Sequence, residues 1–123
     1  MTPPARPRRR PRRRGRGPEN DVVDLYLEAG YVAYRIAHGV ADVVALRAGE
    51  PPVLVQVKST AGGPYERFLP VDRAALLREA RQAGARALLA WWPPRRPTPQ
   101  WIGADDWPPT PEPPEWSNGD LRS

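Results

Sequence analysis

Cysteine is absent from the 123 residues, which excludes a disulfide framework and any thiolate metal site. Histidine occurs once, as His38, so a single chain cannot build a multi-histidine zinc centre. No run of about 18 apolar residues occurs, and no membrane span is expected. The first residues are basic, but no apolar segment follows them, so they do not read as a secretory signal. There is no internal repeat. These absences lead to the expectation of an intracellular, cytoplasmic protein (in the host cytoplasm if the source is viral) with neither membrane partner nor small-molecule cofactor. The length allows one domain with a modest core.

Lysine is almost as scarce. Lys58 is the only one, whereas arginine supplies the other 18 basic side chains. Arginine is always charged and planar, while lysine is a compact amine whose pKa responds to its surroundings. A lone lysine is either compositional drift or a position that needs an amine, and its neighbours decide between these.

The formal net charge of +5 hides an asymmetry. Residues 1–17, MTPPARPRRRPRRRGRG, hold eight arginines and no acid; the other 106 residues hold 11 basic and 14 acidic groups, a net of −3. An Arg/Pro/Gly arm cannot bury apolar surface and is expected to be disordered when free. Arg12, Arg13, Arg14 and Arg16 are candidate DNA-binding residues, since releasing counterions from phosphates drives association whatever the base sequence. A solubility or targeting tail is the plainer alternative. At the other end, residues 93–123 form a Pro/Trp-rich tail. Nine of the 22 residues from Pro93 to Pro114 are proline, which favours extended chain, and QWIGA (100–104) could add an edge strand.

Between these ends, residues 18–92 are periodic. ENDVVDLYLEAG (19–30) predicts a helix whose apolar face carries residues 22, 23, 26 and 27, stopped by Gly30. YVAYRIA (31–37), DVVALRA (42–48) and VLVQVKST (53–60) predict strands joined by short turns, hence antiparallel neighbours. VDRAALLREARQAGA (71–85) predicts a second helix with Asp72 as N-cap and Gly84 as stop. RALLAWW (86–92), apolar throughout, predicts a buried central strand. The order α-β-β-β-α-β implies an α/β fold: a small mixed β-sheet flanked by helices.

Alternate strand residues share a face, so Gln56 and Lys58 project together, opposite Val53, Val55 and Val57. Asp42 opens the preceding strand, and a hairpin would bring it beside them. Glu19 lies three and four residues before Val22 and Val23, on the buried face of the first helix, where an unpaired carboxylate is costly. Glu19, Asp42, Gln56 and Lys58 are therefore the candidate catalytic cluster, with Glu19, Asp42 and Gln56 as oxygen ligands for Mg2+ or, in its place, Mn2+. Such an ion lowers the pKa of water and neutralises charge on a phosphate. A neighbouring amine can orient the attacking water or take its proton. That gives Lys58 a reason to be lysine.

The arrangement resembles the PD-(D/E)xK nuclease superfamily and, within it, the archaeal-type Holliday junction resolvases. GRGPENDVVDLYLEAGYVAYR is similar to that family's glycine, glutamate-bearing helix and "G-aromatic-x-x-x-R" strand. The similarity continues through GVADVVAL and VLVQVKS, and more loosely through VDRAALLREARQAGARALLAWW. The resemblance implies a restriction-endonuclease-like fold, a homodimer acting on branched DNA, and paired metal-dependent nicks in a four-way junction that leave 5′-phosphate ends. It implies metal-binding and catalytic roles for Glu19, Asp42 and Lys58, a DNA-facing role for Arg35, and a phosphate contact for His38. Gln56 departs from the pattern, which has an acid there. A glutamine carbonyl still accepts a cation but adds no charge. The alternatives are a DNA-binding protein of the same fold with weak or no catalysis, or a related nuclease for other branched DNA.

Overall fold

The computed structural model describes residues 17–109. The arginine arm expected at 1–17 lies outside them except for Gly17, and so does the tail beyond Pro109. The elements run α1 (Pro18–Glu28), β1 (Val32–Arg35), β2 (Val43–Leu46), β3 (Val53–Ser59), α2 (Pro70–Ala83), β4 (Arg86–Trp92) and β5 (Gln100–Gly103), followed by a 3-10 turn at Ala104–Asp106. One five-stranded sheet has the spatial order β1-β2-β3-β4-β5. The short turns make β1, β2 and β3 antiparallel in succession. Passage through α2 makes β4 parallel to β3, and β5 returns antiparallel on the far side. The expected α-β-β-β-α-β order of a mixed sheet with helices is observed, followed by β5 at Gln100–Gly103, within the QWIGA stretch.

Each face of the sheet has its own core. On one side Val22, Leu25 and Tyr26 of α1 pack over Val43, Val53, Val55, Val57, Leu88, Ala90 and Trp92. On the other, Leu76 and Ala80 of α2 join Phe68, Ala87, Leu89, Ile102 and Trp107. β4 supplies alternate residues to both, which is why RALLAWW shows no polar alternation. Trp107 donates its indole N–H to the Ile102 carbonyl at 3.0 Å and meets Phe68 edge to face, with ring centroids 4.9 Å apart. This fastens the chain after β5 to the α2 side.

Two local expectations need correction. The buried face of α1 is built on Asp21, Val22, Leu25 and Tyr26, and Leu27 is 49 % exposed. Val22, Leu25 and Tyr26 recur at three and four residues, so they form one stripe, while Leu27 falls beyond its rim. In α2 the N-cap is Leu69, because Pro70 already occupies the first helical turn. Asp72 sits three residues on and accepts the Leu69 N–H at 3.2 Å, half of a capping box in place of a cap. Gly84 ends α2 in the left-handed conformation, at φ 63°.

Candidate active site

The β2–β3 register pairs Val43 with Val55, which puts Asp42 level with Gln56. The Asp42 N–H donates to the Val55 carbonyl at 2.8 Å, and its carbonyl accepts the Ile36 N–H at 2.9 Å, so the backbone of Asp42 is held from both neighbouring strands. Its carboxylate turns onto β3. Oδ2 accepts the Val57 N–H at 2.8 Å and the Gln56 amide N–H at 3.0 Å. The chain thus fixes this acid from two sides, as an acid that must act at one point requires.

Burial raises the Asp42 pKa above the ordinary aspartate value; the Val57 N–H opposes that, the charge of Glu19 adds to it, and Lys58 and Arg35 pull it down. Glu19, Lys58 and Arg35 therefore all lie close enough for their charges to act on Asp42. Glu19 stands half-buried in the first turn of α1 and Lys58 is half-buried on β3, while Arg35 is exposed at the end of β1. In the β3–β4 register Lys58 lies opposite Trp91. The Trp91 indole N–H donates to the carbonyl and the hydroxyl of Thr60, at 3.0 and 3.1 Å, which pins the chain just beyond Lys58.

Gln56 is 8 % exposed, and its amide is only half used. The nitrogen bonds to Asp42, whereas Oε1 is buried without a hydrogen-bond partner. Among the described residues no three Asp, Glu, His or Cys side chains gather as a metal cage. Two carboxylates and a vacant amide carbonyl are what this site offers a hard cation. An orphaned carbonyl oxygen on the amide that bonds the Asp42 carboxylate fits that use, since it lacks any other partner.

His38 is exposed in the loop between β1 and β2. That loop is governed by a residue to which the sequence gives no pointer. Glu79 of α2 accepts the Val40 N–H at 3.2 Å. Gly39 has φ 96°, and a Cβ there would lie 3.1 Å from Glu79 Oε2. The glycine is needed for its backbone angle, and a side chain there would also press on the Glu79 carboxylate. Glu79 is one of many polar residues on α2, and only the packing of α2 against the sheet singles it out. Arg12, Arg13, Arg14 and Arg16 lie outside the described residues.

No helix among the described residues is long and apolar enough to cross a membrane. No protein-family model matches the chain, and no curated protein matches it. Among solved structures, Hjc of Archaeoglobus fulgidus, a Holliday junction resolvase from an archaeal hyperthermophile, matches with a TM-score of 0.60 and 26 % identity, covering 72 % of this chain and 70 % of that one. The resemblance read in the sequence is thus matched by a likeness of structure: the chain has the fold of an archaeal-type Holliday junction resolvase.

Proposed function

We propose that the protein is a metal-dependent endonuclease that resolves four-way DNA junctions by paired nicks, acting inside the cell as a homodimer. The observation that carries this reading is Asp42, locked by Val57 and Gln56 and sharing its electrostatic site with Glu19, Lys58 and Arg35. The match to a junction resolvase supports the choice of substrate. Asp42, Glu19 and the Gln56 carbonyl are the oxygens that would hold Mg2+ or Mn2+; such an ion supplies charge neutralisation at a phosphodiester and acidifies water. Lys58 is the amine that donates to a phosphate oxygen or takes a proton from water. Arg35, whose charge acts on Asp42, and His38, exposed in the loop that leads to Asp42, contact phosphates. The arginines of residues 1–17 add affinity without sequence preference.

The second reading is a protein of this fold that binds branched DNA with little or no cleavage. It is favoured by the amide at position 56, which brings no charge to the site. One experiment separates the two. A synthetic four-way junction and the matching linear duplex are incubated with Mg2+, Mn2+ or chelator, using wild type, Asp42→Asn and Lys58→Ala. Metal-dependent paired nicks in the junction, lost in both variants, support the nuclease. Tight junction binding with no nicks in any metal supports the second reading and refutes the first.

A further inference from the structure

The formal charges that meet at Asp42, the hydrogen-bond partner of Gln56, cancel. Glu19 and Asp42 each bring one negative formal charge, Lys58 and Arg35 each one positive, and Glu19, Lys58 and Arg35 all act on Asp42. Gln56 adds an oxygen and no charge. Its N–H bond to Asp42 Oδ2 fixes the amide, and leaves Oε1 buried and unpartnered. That oxygen is nine-tenths buried with its residue and has only a cation or a donor to satisfy it. A hard divalent cation gives up hydration reluctantly and is drawn mainly by carboxylates or phosphates. A site of zero net formal charge offers it little. The missing negative charge arrives with the DNA itself.

We propose that this site takes up its divalent cation only together with a phosphodiester, and that the neutral side chain of Gln56 imposes that coupling. The inference rests on the nuclease reading and specifies how the site is loaded. It has a direct functional consequence, because a chain that holds no cation in free solution is armed only on DNA. Thermodynamic reciprocity makes it measurable from both sides. The factor by which DNA tightens cation binding equals the factor by which the cation tightens DNA binding.

The test uses the full chain and Ca2+, with titration calorimetry for the cation and fluorescence anisotropy of a labelled four-way junction at matched ionic strength. The free wild-type chain is expected to show no Ca2+ binding below about millimolar concentration, and Ca2+ is expected to tighten junction binding about tenfold or more over chelator, within the usual range of coupling between sites. Screening by Ca2+ would act in the opposite direction. Gln56→Glu should give the free chain measurable Ca2+ affinity and shrink the cation's effect on junction binding. Arg35→Ala, at an exposed position, should also raise the affinity of the free chain.

Tight Ca2+ binding by the free wild-type chain overturns the proposal and leaves the nuclease reading standing. Equal junction affinity in Ca2+ and chelator also overturns it, and the cleavage assay then judges the nuclease reading separately. Gln56→Glu behaving as wild type removes Gln56 from the account. A chain that binds no junction in either condition refutes the nuclease reading and takes this inference with it.

Discussion

The bond between Glu79 and the Val40 N–H gives the most quantitative handle on how this fold positions its acid. Glu79→Ala removes a charged acceptor from a half-buried N–H at 3.2 Å, a loss of about 1 kcal/mol where water can partly replace it. Gly39→Ala forces a side chain onto a backbone with φ 96°, which costs about 1–2 kcal/mol. It also places a methyl 3.1 Å from Glu79 Oε2. The carboxylate must then retreat by a few tenths of an ångström and loosen its bond to Val40. In the double variant that second cost is absent, so the two changes should total about 0.5–1 kcal/mol less than their sum, a coupling expected only for residues in contact. Urea denaturation followed by tryptophan fluorescence yields the four stabilities of the cycle. The loop runs directly into Asp42, so both single variants should slow junction cleavage more than they weaken junction binding. Additive stabilities, or unchanged cleavage in the folded variants, would refute the view that Glu79 shapes this loop for Asp42.

Three further outcomes are expected. Burial raises the Asp42 pKa, so the folded chain binds this proton more tightly than the unfolded one. Stability contributed here therefore falls as pH rises from the ordinary aspartate value through the folded pKa. Asp42→Asn should melt higher than wild type at pH 7 in chelator, with the gain fading towards pH 4; an equal or lower melting temperature at pH 7 contradicts this. Deleting residues 1–14 should weaken junction binding at low salt and flatten its salt dependence, by about 0.9 in log–log slope for each phosphate that the arm neutralises; an unchanged slope excludes the arm from DNA binding. Phe68 is fully buried against Trp107, so Phe68→Ala should destabilise the fold by about 3–5 kcal/mol. Less than about 1 kcal/mol by denaturant titration would show that the α2-side core does not depend on it.

Much of this molecule is legible in its sequence where one element suffices to read it. The strand alternation in VLVQVKST sends the valines to the α1 side and Leu54 to the α2 side. The short turns fix the antiparallel order, and the hairpin register brings Asp42 to Gln56. Signals that depend on a second element are harder to see. Val22, Val23, Tyr26 and Leu27 make a plausible helical stripe, but α1 packs on the sheet through Leu25 and leaves Leu27 half-exposed. Asp72 looks like a cap until Pro70 is seen to start the helix. Glu79 matters because α2 crosses beside the β1–β2 loop, and periodicity within α2 carries no trace of that. The half-used amide of Gln56 is likewise a matter of which atom faces Asp42.

The central claim is that Asp42 and Gln56, with Glu19 alongside, hold a divalent cation where Lys58 can reach the same phosphate. Its most direct test is a crystal structure of the protein with a four-way junction in Mn2+, with the metal located by anomalous scattering. The account predicts one peak per chain within about 2.0–2.6 Å of both an Asp42 carboxylate oxygen and Gln56 Oε1. A well-occupied peak elsewhere, or a Gln56 carbonyl still unpartnered beside a bound phosphodiester, would contradict it.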